Sequence, residues 1–185
     1  MPIHLRTLTA SDAPAYKALR DESLRTAPEA FTSDWASTVG RDASEYAGRF
    51  GEPATGNFFL GAFDDANHLL GCVGCEREAR LQQRHCAHVV SMMVAPAAQR
   101  RGIGQQLVAA CIDAARQVPG LAQLLLTVTA SNTHVVRLYE QAGFRAWGLL
   151  PCAIVVDGVG HDKLHMRRLL TSPTGLDGHN QQPAP

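Results

Sequence analysis

The chain has 185 residues, 45% of them hydrophobic, which is enough for one well-buried core and makes a single domain the expectation. Lys+Arg and Asp+Glu balance at 17 each, so no long-range field draws the protein to nucleic acid or to an anionic membrane. No apolar run reaches membrane-spanning length and the N-terminus lacks a signal-peptide core; five cysteines without dense spacing suit a reducing compartment, so a cytoplasmic location is expected.

Residues 3–8 alternate apolar and polar side chains and predict a first strand. Ser11 or Asp12 can cap a helix carrying Tyr16, Leu19 and Leu24. Pro28 interrupts, and a second helical stretch over residues 34–50 spaces Trp35, Val39 and Tyr46 for one face. Residues 57–63 read as a strand, and the turn Asp64-Asp65-Ala66-Asn67 leads into another at 69–78. After a polar loop at 79–84 comes the central strand, 86–94, stopped at Pro96.

A helix over 102–118 places Ile103, Leu107, Val108, Cys111 and Ala115 on one face and ends at Pro119-Gly120. Residues 123–129 form a buried strand. Ser131 or Asn132 then caps a helix in which Leu138 packs inward, and Gly143 suits a left-handed C-cap. Phe144 opens a strand that runs to Leu150. Pro151 begins an irregular stretch with a turn at Asp157-Gly158, and 161–169 alternates again with Leu164 and Met166 on one face. Residues 171–185 are polar and turn-rich, which predicts a disordered tail behind a domain of residues 1–170.

Cys72 and Cys75 form a C-x-x-C pair with His85 and His88 nearby, so zinc has to be weighed. On a strand, however, positions three apart point to opposite faces, and no metal is expected. The turn after the central strand is more informative. The first N–H groups of a helix lack intrahelical partners and sit at the positive end of its dipole. Here such a helix start follows a strand through Arg100, Arg101 and two glycines, Gly102 and Gly104, an arrangement suited to phosphate. Leu107 stands where a dinucleotide fingerprint needs its third glycine, and no Gly-Lys-Ser/Thr triplet occurs anywhere.

Gln99-Arg100-Arg101-Gly102-Ile103-Gly104 resembles the Q/R-x-x-G-x-G/A signature of the GNAT N-acetyltransferase superfamily. The later segment SNTHVVRLYEQAGF resembles its N-x-x-A-x-x-L-Y-x-x-x-G-F block, with Val135 in the alanine position. The resemblance implies an α/β fold of mixed α+β character, a central twisted mixed sheet flanked by helices in the order β-α-α-β-β-β-α-β-α-β-β. It also implies acetyl-coenzyme A as co-substrate. The activity implied is transfer of the acetyl group to a primary amine of a small molecule or protein, by direct attack in a ternary complex; a homodimer is compatible with it.

Carried onto this sequence, the resemblance implies that Met92, Met93 and Val94 offer backbone groups to the pantetheine arm, where a bulge splays two strands apart. Arg100, Arg101, Gly102, Ile103, Gly104 and Gln105 hold the pyrophosphate, and Asn132 contacts the cofactor. Tyr139 matches the family's general acid, which protonates the departing thiolate. The general base stays open. Thr127 occupies a position where some relatives carry glutamate and cannot serve. His88 is the first candidate, on a face shared with Cys86, Val90 and Met92, while Glu76, Glu78, His85 or a water relay are alternatives. A non-catalytic acyl-coenzyme A sensor is the alternative function.

Overall fold

The computed structural model describes residues 2–170; the expected tail at 171–185 lies outside the described residues. In chain order the elements are β1 (His4–Thr7), α1 (Ala13–Thr26), α2 (Trp35–Thr38), α3 (Ser44–Ala47), β2 (Gly51–Glu52), β3 (Asn57–Phe63), β4 (Leu69–Arg77), β5 (Cys86–Val94), α4 (Ile103–Arg116), β6 (Gln123–Thr129), α5 (Thr133–Gln141), β7 (Arg145–Val156) and β8 (Val159–Leu169). One sheet orders them β1-β3-β4-β5-β6-β8-β7, with β2 beside β3. The β5–β6 pair is parallel and every other pair antiparallel, so the expected mixed sheet is the architecture observed.

Side-chain alternation splits the core into two layers. On β3, Phe58, Leu60 and Ala62 join Leu107, Cys111 and Tyr139 under α4 and α5. Phe59 and Phe63 point the other way and meet Tyr16, Leu19 and Tyr46 from α1 and α3. That second layer is aromatic: Tyr16 lies 5.4 Å from Tyr46, 5.2 Å from Phe50 and 5.8 Å from Phe59, ring centre to ring centre. The contacts with Phe50 and Phe59 are edge-to-face, a geometry that adds stabilisation beyond the buried area. Gly74 is required here, since a Cβ at that position would stand 2.6 Å from the Phe59 ring.

Several sequence expectations need correction. The stretch 34–50 is two single-turn helices, α2 and α3, rather than one helix. Trp35 and Val39 are exposed and only Tyr46 is buried, so their spacing builds no common apolar face. Neither Ser11 nor Asp12 caps α1 with its side chain; Asp12 accepts instead from the Thr9 N–H at 2.8 Å and from both Arg6 terminal nitrogens at 2.7 and 2.8 Å. Pro151 does not end its strand. β7 is the last strand of the sheet, and an edge tolerates a missing N–H; the ladder slips between Leu150 and Ile154 and then resumes. The two-residue strand β2 went unread because it is too short to carry a period.

The correction with most consequence lies in β5. Its pairing with β4 steps from Cys72↔Met93 to Gly74↔Val90, so Val73 alone faces both Ser91 and Met92. Ser91 takes a left-handed φ of 51°, the sign of a bulge that adds one residue to β5. The extra residue inverts the alternation beyond it. Met92 therefore joins Ala87 and Val89 in the α4 layer, and Met93 joins Val90 in the α1 layer. Met92 does not share the face of Val90 and His88, as a regular period of two would require.

Candidate active site

β5 and β6 pair only through Cys86↔Gln123, Ala87↔Leu124 and His88↔Leu125. Beyond that point β5 keeps β4 as its single neighbour and β6 keeps β8. A wedge opens between residues 89–94 and 126–129, with unpaired main-chain edges on both walls. The expected splay is present, but the bulge sits in the β4–β5 ladder, not between the two strands that separate.

At the mouth of the wedge the chain turns through Pro96–Ala98 into Gln99, whose side-chain amide donates to the Val94 carbonyl at 3.3 Å. Arg100 and Gly102 both take left-handed φ values, 61° and 75°, which fold the loop back so that α4 can start against β4 and β5. Gln106 is the first residue of α4 to find a helical acceptor, the Gly102 carbonyl at 3.1 Å. The N–H groups of Ile103, Gly104 and Gln105 are left as donors at the positive end of a 14-residue helix. A Cβ at Gly102 would meet only the Gln105 side chain, at 4.0 Å, so the backbone there is open to a ligand. Arg100 and Arg101 are exposed and make no ion pair with any described residue. This set fits a pyrophosphate.

Gly104 serves packing as well. A Cβ on it would lie 3.1 Å from Leu138 and 3.2 Å from Met92, so its absence lets α4 approach α5 and β5 closely. Ile103 is buried at the helix start, leaving only its N–H for a ligand. Asn132 caps α5, its carbonyl oxygen accepting from the Val135 N–H at 3.3 Å. Two turns into the helix, Tyr139 packs 5.7 Å from Phe144 and is 5% exposed. No described residue hydrogen-bonds its hydroxyl, and burial pushes its ionisation above the ordinary phenol range.

His88 stands on the other side of the sheet. Its Nε2 lies 2.9 Å from Glu78 Oε1. A carboxylate can only accept, so Nε2 carries the proton and Nδ1 is the basic atom of the neutral ring. Directly across the ladder from His88 is Glu76, which is held by Arg49 at 2.7 Å. Of the carboxylates near the wedge, Glu76 is thus neutralised and Glu78 orients His88. No motif in the sequence marks the neighbours on this face. Tyr16 donates to Ser91 Oγ at 3.2 Å, Arg49 reaches the Tyr16 oxygen at 3.4 Å, and the Cys72 thiol donates to the Ser91 carbonyl at 3.4 Å. These partners are 19 to 75 residues apart in the chain and no local pattern connects them.

Cys72 and Cys75 fall in opposite layers, as strand geometry demands, and among the described residues no cluster of His, Cys, Asp or Glu is placed to hold a metal ion. No helix among the described residues is long and apolar enough to cross a membrane.

A wedge between two strands, a helix start with open donors and a buried tyrosine behind it are joined by a match to the acetyltransferase (GNAT) family over residues 16–144. The chain belongs to that family. Curated relatives include a mycothiol acetyltransferase from Salinispora tropica, 37% identical over 89 residues, which are 48% of this chain and 29% of that protein. The chain therefore spans well under half the length of the curated relatives it matches. Among solved structures, a GNAT-family acetyltransferase from Streptococcus pneumoniae superposes with a TM-score of 0.79 at 22% identity, covering 91% of this chain and 99% of that one. A phosphinothricin acetyltransferase from Sinorhizobium meliloti, solved with acetyl-coenzyme A, gives 0.74 at 22% identity, with 95% of both chains covered. Those two likenesses establish the fold. A GCN5-related N-acetyltransferase from Kribbella flavida gives 0.76 at 26% identity, covering 90% of this chain and 97% of that one.

Proposed function

We propose that the protein is an N-acetyltransferase that moves the acetyl group of acetyl-coenzyme A to a primary amine, with donor and acceptor bound together in the wedge between β5 and β6. The observation that carries this reading is a helix start with open N–H donors and Tyr139 on one side of the sheet, with His88 on the other. Donor and acceptor can then enter the same opening from opposite faces.

The N–H groups of Ile103, Gly104 and Gln105, with Arg100, Arg101 and the open backbone at Gly102, would hold the pyrophosphate. The exposed main-chain edge at Met92, Met93 and Val94 would take the pantetheine arm as an added strand, with Asn132 at its flank. When bound, acetyl-coenzyme A supplies an activated thioester. An amine arrives largely protonated at neutral pH, and His88 Nδ1, oriented through Nε2 by Glu78, is placed to accept that proton. Tyr139, kept protonated by its burial, holds the proton that the leaving sulfur requires. The apolar side chains of Met92, Val135 and Leu138, packed against the α4 layer, would keep water from the thioester side. A sensor without turnover is the less favoured reading, because it leaves both the buried phenol and the oriented imidazole without a task.

The acceptor is a small molecule or a protein amine; the names of the curated relatives favour a small molecule. The expected homodimer has one feature in its support, the apolar side chains of Trp147, Leu149, Leu150 and Val155 left exposed along edge strand β7. The test is a panel of amines incubated with acetyl-coenzyme A while free thiol is followed. Acceptor-dependent thiol release supports the proposal. Binding of acetyl-coenzyme A with no release above hydrolysis across amino acids, polyamines, aminosugars and peptides would favour the sensor.

A further inference from the structure

The α1 side of the wedge carries a positive charge without a counterion. Arg20 lies one helical turn after Tyr16 on the buried face of α1 and is only 9% exposed. Its Nε is sealed from solvent with no partner, and no described carboxylate lies within ion-pair reach of its guanidinium. No carboxylate near it compensates the charge, and the face of the Tyr46 ring attracts it only weakly. Asp21, next along α1, pairs with Lys17 through one oxygen and keeps the other sealed without a partner, and Glu76 pairs with Arg49. The Tyr46 ring centre stands 5.9 Å from the Arg20 guanidinium carbon, and the Tyr46 hydroxyl is also sealed without a partner.

Two donors in one place, both covered and both unanswered, are costly in a folded protein unless a ligand answers them. Tyr16 and Tyr46 belong to the α1 layer, the side of the sheet from which the proposed acceptor would enter. Tyr16, on the same helix face, touches Ser91 at the bulge, and the Arg20 charge is felt by both Tyr16 and Cys72. Arg49 leans toward the same Tyr16 oxygen, but Glu76 cancels its charge. The layer thus keeps one net cation, a guanidinium over the Tyr46 ring with its Nε unpartnered. That chemistry recognises a carboxylate.

Resting on the acetyltransferase reading above, we propose that Arg20 and Tyr46 bind a carboxylate on the acceptor, so that the substrate class is an amine bearing an acidic group, of the amino-acid kind, rather than a polyamine. Both groups act by positioning the acceptor and take no part in proton transfer.

The experiment has two arms. In the first, matched pairs of free amino acids and their carboxamides are offered with acetyl-coenzyme A, and kcat/KM is read from thiol release. A charge-assisted hydrogen bond lost from the acceptor predicts that the wild type prefers the acid of a pair by roughly 10- to 100-fold. Arg20→Gln should erase that preference through KM, and Tyr46→Phe, which removes one oxygen and little volume, should reduce it several-fold. Equal use of acids and amides, or a preference that survives in Tyr46→Phe and in Arg20→Gln alike, would overturn the assignment. The second arm needs no turnover. N-acetylated amino acids should raise the melting temperature of the wild type, their carboxamides should not, and Arg20→Gln or, if that variant does not fold, Tyr46→Phe should weaken the shift. Stabilisation by the acids without any thiol release would sink the acetyltransferase reading and keep the anion site. Thiol release with no discrimination in either arm would do the opposite.

Discussion

Replacing Tyr139 by phenylalanine separates a proton donor from a core aromatic, and the structure gives both magnitudes. The substitution removes one oxygen from a side chain that is 5% exposed, and no described residue loses a hydrogen-bond partner. The ring contact with Phe144 at 5.7 Å survives. Without an orphaned partner the fold should change by less than about 1 kcal/mol, a shift of roughly 2–4 °C at most for a domain of this size. If the hydroxyl protonates the leaving sulfur, turnover falls on the order of 10²–10⁴-fold, equivalent to about 3–5 kcal/mol on the barrier. Burial raises the phenol's ionisation above its ordinary value of 10.0, so it stays protonated through the whole working range and contributes no basic limb to the rate profile. Thiol release with the best acceptor from the panel, or slow hydrolysis of acetyl-coenzyme A as a proxy, reads the rate; calorimetric titration reads affinity, expected within a few-fold of wild type. A variant that turns over normally, or one whose lost rate is matched by lost folding, would remove Tyr139 from the chemistry.

Lys163 is 4% exposed and spends its three donors on the carbonyls of Glu29 and Ala30, both at 3.1 Å, and on Thr129 Oγ1 at 2.8 Å. Lys163→Met should loosen the hold of β8 on the segment after α1, leaving only the Thr129 hydroxyl on the Glu29 carbonyl, and cost about 2–4 kcal/mol in denaturant melts, since it strands polar atoms; an unchanged midpoint would refute the anchoring role. Asp12, held by Arg6 and the Thr9 N–H, has its pKa lowered from 3.8 to about 2. A depressed folded-state value means its contribution is present above the unfolded pKa and lost as pH falls from about 4 toward 2. Asp12→Asn should therefore flatten the acid side of the stability curve across that window, and an identical acid slope in the variant would contradict the pairing. Arg101→Ala and Arg100→Ala, both at exposed positions, should leave the melting temperature unchanged and raise the dissociation constant for acetyl-coenzyme A roughly three- to tenfold each. Gly104→Val is a poorer probe of phosphate binding, because its side chain would strike Leu138 and Met92 as well.

The strands at Asn57–Phe63 and Gln123–Thr129 and the capped helix α5 stand where the sequence places them, because each carries its own period and its own stop. The helix start at Gly102 was legible for the same reason. The sequence pattern puts Met92 on the wrong face because a bulge leaves no local mark; Ser91 takes a left-handed φ with no glycine to announce it. Pro151 read as a break, since edge or interior position belongs to the sheet and not to the strand. Tyr16, Arg20, Arg49 and Lys163 acquire their roles from partners far away in the chain, which no spacing rule can supply.

The central claim is that the turn at residues 99–105 and the wedge beside it hold acetyl-coenzyme A, and thermal denaturation with and without ligand tests it most directly. A ligand at 100 times its dissociation constant that binds only the folded state adds about 2.7 kcal/mol, or roughly 5–11 °C for a domain of this size. Acetyl-coenzyme A should raise the midpoint by that amount, with NAD and ATP at the same concentration well below it. A shift with either nucleotide and none with acetyl-coenzyme A would contradict the account.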